Sequence, residues 1–373
     1  MLIEHYYPIE SGGELFVRKI AEYCVNKGSE VVVISTLRNG LSDFENINGV
    51  NVHRIKNFIV PYFKFRTYLF KSYINLKQLD KEYNFDIIHG HFPVICGVST
   101  LLSKKLLNKK TILTVQGGDL LDYPEKSHFP FTLYKPFLNK IMSSTDAIHA
   151  VSKYTADLSK KYGGKNINII PNGIDTKLFK PNGNAVEDYK EYSPLIITTS
   201  RLVPKNGIDI LLKAIAKLKK EYYRIGCLVI GTGWQENSLK RLCADLDIVK
   251  NVIFLGYIEN KRLPEFYRAS DIFVRPSLQE GFGISFIEAM ACGVATIGTK
   301  TGGIVDFIKD GETGLLAEPG SVEDLYKKLK LLIENEDFRK RISKRGCKEI
   351  LENYDWNVIG EIVLRLYNKV ISK

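Results

Sequence analysis

Short β-branched runs alternate with segments of helical spacing along the whole chain, and that alternation restricts it to parallel sheets with crossover helices. In the first half the runs are "EVVVIST" (30–36), "VNVHRI" (50–55), "DIIHGHF" (86–92), "TILTVQG" (111–117), "AIHAVS" (147–152) and "INIIPNG" (167–173). Segments such as 13–27 and 95–107 carry apolar residues at helical spacing between them. A polar stretch with Pro and Gly, "KPNGNAVEDYKEYSP" (180–194), interrupts the pattern and reads as an interdomain linker. The pattern resumes with "LIITTS" (195–200), "CLVIGTG" (227–233), "NVIFLGY" (251–257), "DIFVRPS" (271–277) and "VATIGT" (294–299). The expectation is α/β: two doubly wound Rossmann-like domains, the first over 1–183 and the second over 194–355. In such sheets ligands sit beyond the carboxyl ends of the strands, so the loops that follow strands should carry the chemistry.

Composition agrees with this class. At 373 residues, with 45% hydrophobic and 25% charged residues, either half can bury its own core. No apolar run reaches the roughly 18 residues of a membrane span, and "MLIEHYYPIESGG" lacks the features of an export signal. Cys24, Cys96, Cys227, Cys243, Cys292 and Cys347 show no CxxC spacing and mostly apolar surroundings, as reduced core thiols of a cytoplasmic protein do. The net charge is +11, and the first 185 residues hold 24 Lys and Arg against 16 Asp and Glu. A basic first half points to phosphates, a membrane surface or nucleic acid, and composition does not choose among them.

The stretch "QEGFGISFIEAMACG" (279–293) follows a strand and sets Glu280 and Glu288 eight positions apart around a glycine turn. Gly281 and Gly283 permit close approach of backbone to a ligand. The helix starting at "ISFIEAMA" offers unpaired N–H groups and a dipole to an anion such as a pyrophosphate. Glu288, among Phe286, Ile287, Ala289 and Met290, needs strong partners if ionised, and paired sugar hydroxyls would supply them. The plainer arrangement has Glu280 capping a helix and Glu288 meeting a core arginine. Three more strand-end loops suit phosphate. "SRLVPKNGID" places Arg201 and Lys205 where they can hold a diphosphate or face solvent. "GTGW" brings Gly231 and Gly233, which also fit an ordinary turn, and "ESGGE" brings Gly12 and Gly13.

On these residues the chain resembles the retaining glycosyltransferases of family 4, which have the GT-B fold. "PSLQEGFGISFIEAMACGVATIGTKTGGIVDFIKDGETGLL" is similar to their E-x7-E region. "YYPIESGGE", "DIIHGHFP", "TILTVQGGDL", "INIIPNGIDTKLFKP", "SRLVPKNGID" and "YDWNVIGEIVLRLYNKV" extend the likeness over nearly the whole chain. The resemblance implies two domains facing across a cleft, with a last helix, 356–373, crossing back onto the first. It also implies that Glu288 binds a ribose and that Glu280 holds hydroxyls of the donor sugar. The backbone from Phe282 through Gly283 and Ile284 to Ser285 would lie nearby. Arg201 would neutralise the diphosphate, the backbone at Tyr257 and Ile258 would frame the base, and Gly12 and Gly13 would close over the phosphates. Transfer would retain anomeric configuration, with the departing phosphate helping to deprotonate the acceptor, and with no metal or other cofactor.

Two positions depart from the family pattern. Lys205-Asn206 stands where Glu-Lys is usual, so the lysine has moved by one place or the diphosphate is less neutralised. Gln116-Gly117-Gly118-Asp119 stands where His-Gly precedes an Asp, so a carbonyl near the reacting carbon is kept and imidazole chemistry is lost. Gln116 and Asp119 remain candidates beside Glu280, Arg201 and Lys205, and Asp119 also suits a helix cap. The chain opens a few residues short of a full first strand, which is then abbreviated or begins upstream of Met1.

Other signals read as structural. His89-x-His91 has no third ligand near it, and Asp245-x-Asp247 lies in a helical stretch. Residues 54–77 hold six basic and seven aromatic residues with no acid between Glu45 and Asp80. They suit a solvated helix with an aromatic core stripe, or an anionic membrane surface beside a lipid-linked acceptor. No nucleic-acid module is present. A dehydrogenase reading fails because no GxGxxG opens a βα turn. The resulting expectation is a retaining hexosyltransferase using a UDP- or GDP-sugar on a glycan or lipid-linked acceptor, in envelope or polysaccharide biosynthesis. It would be cytoplasmic, peripheral at the inner membrane face. The alternative is a catalytically impaired nucleotide-sugar-binding homologue.

Overall fold

The computed structural model describes residues 1–9, 12–56, 64–117, 120 and 131–373, without the side chains of 64–67, 69, 70 and 131–135. Contacts divide the chain into two units, Met1–Gly173 with Trp356–Lys373, and Ile174–Asp355. Asp119, Glu10, Ser11 and Gly118 lie outside the described residues, as do 57–63 of the basic and aromatic stretch. From that stretch the described Tyr68 is a core residue, its hydroxyl donating to the Ile3 carbonyl at 2.7 Å. Among the described residues no helix is long and apolar enough to cross a membrane.

In the first unit, β1 (Val32–Thr36) pairs in parallel with β3 (Val50–Ile55), which takes β2 (Phe44–Ile47) as an antiparallel neighbour. Four further strands, β4 (Ile87–His91), β5 (Lys110–Val115), β6 (Ala147–Ala150) and β7 (Ile167–Ile169), run parallel in that order. The start of the chain joins the two groups. Leu2 bridges Ile34 of β1 and Gly90 of β4, both in parallel. Its N–H donates to the His89 carbonyl at 2.8 Å, and the His91 N–H donates back to the Leu2 carbonyl at 2.9 Å. Leu2 thus occupies the central position between β1 and β4. The C-terminal helix Trp356–Ile371 belongs to this unit, where Gly360 lies against the Tyr23 ring and Tyr23 Oη donates to Glu361 at 3.0 Å.

The second unit is one parallel sheet of β8 (Leu195–Thr199), β9 (Gly226–Ile230), β10 (Val252–Gly256), β11 (Ile272–Val274), β12 (Ala295–Thr299) and β13 (Leu315–Ala317). Their order across the sheet is β10-β9-β8-β11-β12-β13. The direction of winding therefore reverses between β8 and β11, and that switch point opens a crevice at the carboxyl ends of the two strands. Apart from β10 at the sheet edge, which is half-buried beyond Val252, these strands are buried along their whole length, as in a parallel sheet covered on both faces. The helix Ile208–Leu218 alone buries Ile208, Ile210, Leu211, Leu212, Ala214, Ile215 and Leu218. Each large apolar side chain so buried contributes about 1.5–3 kcal/mol.

The segment 174–183, expected with the first domain, belongs to the second unit. The Ile174 N–H donates to the Tyr354 carbonyl at 2.8 Å, and Thr176 Oγ1 donates to Asp355. The expected linker 180–194 is also anchored there. Arg268 donates to the Asn184 carbonyl at 2.7 Å and Arg224 to the Glu191 carbonyl at 2.8 Å. Polar composition read as a linker because the segment is held through its own backbone carbonyls, which accept from Arg268 and Arg224 and leave no mark in a sequence. All six cysteines are free and buried.

Candidate active site

The loop that leaves β11 is built around a buried arginine. Arg275 directly follows the apolar run Ile272–Val274, and its guanidinium stacks on the Phe286 ring at 4.6 Å. Nε donates to Ser277 Oγ at 3.0 Å, Nη1 donates to Ser285 Oγ at 2.8 Å, and Nη2 donates to Oε2 of Glu280. Glu280 keeps 20% of its side chain exposed against 8% for Arg275, so the carboxylate lies between the guanidinium and solvent. Neighbouring turns fix the loop from both sides. The Leu278 N–H donates to the Lys205 carbonyl at 2.7 Å, Thr299 Oγ1 to the Ser277 carbonyl at 2.6 Å, and the Gly303 N–H to the Glu280 carbonyl at 3.1 Å. Gly207 and Gly302, both at positive φ, leave no room for a Cβ against the carbonyls of Pro276 and Glu280.

Gly283, at φ 99°, then turns the chain into the helix Ile284–Ala291 with no side-chain cap. The buried Phe282 leads into this turn, and Ile284 and Ser285 open the helix half-buried. Glu288 lies one turn further in, fully buried. Its Oε1 accepts from Asn260 Nδ2 at 3.0 Å and its Oε2 from Tyr267 Oη at 2.9 Å. Burial pushes this carboxyl above its ordinary range, and the bonds from Tyr267 and Asn260 pull it back. The arginine contact considered for Glu288 therefore goes to Glu280, and neither glutamate caps the helix.

Across the switch point, Arg201 is exposed at the end of β8 and Lys205 half-buried in the turn Pro204–Asn206. Asn206, buried, donates to the Arg201 carbonyl at 2.7 Å and so sets the shape of that loop. Gly231 and Gly233 are needed for packing: a Cβ on either would strike the carbonyl of Ser200 or Leu202. The two loops are stitched by Leu202 N–H to the Thr232 carbonyl at 2.9 Å and Gln235 N–H to the Leu202 carbonyl at 3.1 Å. After β10, Tyr257 is exposed and Ile258 half-buried. The carboxyl ends of β8, β9, β10 and β11 thus gather three cations (Arg201, Lys205 and Arg275), two carboxylates and a helix N-terminus in one unit.

In the first unit, Gly12 and Gly13 open the helix Gly12–Asn26, and Gly13 has no room for a Cβ against the Phe92 ring. Gln116, after β5, accepts from Asn172 Nδ2 at 3.3 Å. His89 and His91 are both fully buried. Asp247 pairs with Lys219 at 2.9 Å, and Asp245 ends the helix Glu236–Asp245. Sequence reading missed Arg275, Tyr267 and Asn260. The first had a signal, a lone charge at the end of an apolar strand run.

The family profile described as "Glycosyltransferase Family 4" matches residues 11–178, and "Glycosyl transferases group 1" matches 181–349. The chain belongs to the family 4 glycosyltransferases of the GT-B fold. It is a transferase enzyme. An uncharacterized glycosyltransferase of Methanocaldococcus jannaschii is 26% identical over 98% of this chain and 97% of the relative. A GDP-mannose-dependent monoacylated alpha-(1-6)-phosphatidylinositol monomannoside mannosyltransferase of Corynebacterium glutamicum is 30% identical over 60% of this glycosyltransferase and 62% of the relative. In fold, sucrose-phosphate synthase from Thermosynechococcus elongatus matches with a TM-score of 0.85 at 21% identity, over 99% and 96% of the two chains. HepE of Anabaena, solved with UDP and glucose, matches at 0.79 and 19% identity, over 99% and 98%.

Proposed function

We propose that this glycosyltransferase moves a hexose, with retention of anomeric configuration, from a UDP- or GDP-sugar to a glycan or lipid-linked acceptor. The observation that carries this reading is the switch point of the second unit, where the Arg201–Lys205 loop and the Glu280–Glu288 loop stand at the ends of β8 and β11. A nucleotide sugar has a diphosphate between two polyhydroxyl rings, and this sequence of groups matches cations, helix N-terminus and paired carboxylates. Arg201 and Lys205 neutralise the diphosphate and the charge that grows on the leaving phosphate. The N–H groups of Ile284 and Ser285 face the same anion from the helix end. Glu288 accepts from ribose hydroxyls and Glu280 from hydroxyls of the transferred sugar. Catalysis is then chiefly positioning and stabilisation of the leaving group, with the departing phosphate oxygen taking the acceptor proton. No metal or other cofactor takes part in this reading.

Named relatives use GDP-mannose, and HepE was solved with UDP, so both bases belong in the test. The experiment is a thermal-shift screen of UDP- and GDP-sugars, followed by transfer to a membrane extract and determination of the product anomer. A bound donor at 100 times its Kd adds about 2.7 kcal/mol of stability. Absence of any shift across both series, or an inverted product, overturns the proposal.

A further inference from the structure

The ion pair of the buried Arg275 with the partly exposed Glu280 fixes a direction on the carboxylate. The guanidinium of Arg275 is held by Ser277 Oγ, by Ser285 Oγ and by the Phe286 ring, and its remaining edge meets Oε2 of Glu280. We propose that Arg275 is a positioning residue for donor-sugar selection. It reserves Oε2 of Glu280 for itself and leaves Oε1 to accept from the sugar. This inference rests on the donor reading above.

The two serines flank the loop that carries Glu280, so the guanidinium plane is tied to both ends of it. A planar fork with donors fixed in three directions can do this, whereas an ammonium on a flexible stem cannot hold the same orientation. The arginine side chain is only 8% exposed and Glu280 20%, so Arg275 acts from beneath and does not face the ligand. A carboxylate free to rotate would offer either oxygen to many arrangements of hydroxyls. One with a single oxygen available in one rotamer accepts from a particular pair of neighbouring hydroxyls on the hexose. An epimer that turns one of those hydroxyls away leaves the oxygen underused, and that difference is the selectivity.

The test uses the full chain, its cognate nucleotide sugar and the C4 or C2 epimer, with Arg275→Lys, Arg275→Gln, Glu280→Gln and the Arg275→Gln/Glu280→Gln pair. Calorimetry with the free nucleoside diphosphate reads the part of the site that Glu280 does not touch. Arg275→Lys should keep that Kd within about twofold, lower kcat about tenfold and reduce epimer discrimination about fivefold. If Arg275 works through Glu280, the double variant should be no worse than Glu280→Gln within about twofold. A loss in the double variant equal to the product of the single losses overturns the proposal. So does Arg275→Lys with unchanged discrimination, or with diphosphate affinity falling in step with kcat. Should Arg275→Gln not fold, Arg275→Lys keeps the charge and decides the matter alone. Failure of the unaltered protein to bind either diphosphate removes the donor reading itself, and this proposal with it.

Discussion

The hydroxyl of Tyr267 donates to Oε2 of Glu288 at 2.9 Å and stands 2.7 Å from Thr199 Oγ1. A phenol has one proton, and it goes to the carboxylate, so Thr199 donates to the phenol. A strand end, a helix and a second helix therefore meet on one acid, and the acid is oriented before any ligand arrives. That preorganisation costs stability at the acid itself, because burial holds the carboxyl above its ordinary range.

Tyr267→Phe removes one donor to Glu288 and strands Thr199 Oγ1. The loss of a buried hydrogen bond to a carboxylate should cost about 1–3 kcal/mol, read as a lower unfolding midpoint in urea. The ribose assignment makes a sharper prediction. The preference of the protein for a ribonucleoside diphosphate over its 2′-deoxy form should shrink in Tyr267→Phe and vanish in Glu288→Gln. A preference left intact in both would place the ribose elsewhere.

The same carboxyl makes stability depend on pH. Its folded pKa lies above the ordinary 4.5, so the folded state keeps a proton that the unfolded state has released. The contribution of this carboxyl to stability therefore falls as pH rises from the unfolded to the folded pKa, by up to about 1.4 kcal/mol per unit, and is level above it. Under the proposed ribose assignment the hydroxyls donate to the ionised form, so nucleotide affinity should rise over the same interval. Unfolding curves of the unaltered protein and Glu288→Gln between pH 4 and 8, with and without nucleoside diphosphate, check both signs.

How much of this was legible depends on the kind of contact. Strand runs and the loops after them were read from local pattern, because short apolar runs and glycine turns record themselves in neighbouring residues. The loop glycines were legible as glycines but not in their role: Gly231 and Gly233 accommodate the backbone of Ser200 and Leu202. Partners of Glu288 were not legible, since Tyr267 and Asn260 lie 21 and 28 positions away and are ordinary residues of a helix and a turn. Arg275 is the intermediate case. Its charge at the end of "DIFV" announced a buried partner, but only the folded loop shows that the partner is Glu280.

Asn206 is buried and holds the Arg201 carbonyl, so it serves the loop, and the proposed donor site leaves the diphosphate to its neighbour Lys205. Lys205→Ala should raise the donor KM at least about tenfold, a loss typical of a charged hydrogen bond. Asn206→Ala should instead lower stability and affect Arg201 indirectly. Equal KM in Lys205→Ala and the unaltered enzyme would return Lys205 to a solvated role.

Two glycines separate strain from collision. Gly302 (φ 57°) and Gly311 (φ 78°) both need the left-handed region, but a Cβ on Gly311 meets nothing within 4 Å, whereas one on Gly302 strikes the Glu280 carbonyl. Gly311→Ala should cost about 1–2 kcal/mol from backbone conformation alone. Gly302→Ala should cost more and also shift Glu280, so kcat falls with it. Equal losses in stability and activity would mean that the Gly302 loop yields without moving the glutamate.

In the first unit a carbonyl sets the direction of a buried chain of hydrogen bonds. Ile170 O can only accept, so His149 Nε2 donates to it at 2.7 Å, and His149 Nδ1 accepts from Thr114 Oγ1 at 2.9 Å. Thr114 is then free to accept from His89 Nε2 at 2.6 Å, and His89 Nδ1 accepts from Tyr367 Oη at 2.7 Å. Every member is neutral in this order, and burial lowers His149 to about 4 and His89 well below its ordinary 6.5. In the unfolded chain these imidazoles take up protons near pH 6.5. The contribution of these imidazoles to stability is thus level above that pH and falls as pH drops from 6.5 toward 4, by about 3 kcal/mol for His149 alone, opposite in sign to that of Glu288. His149→Gln should flatten this slope, and Tyr367→Phe should lower stability at every pH by detaching the C-terminal helix from the chain of bonds. An acid transition unaffected by His149→Gln would show that other groups drive the unfolding.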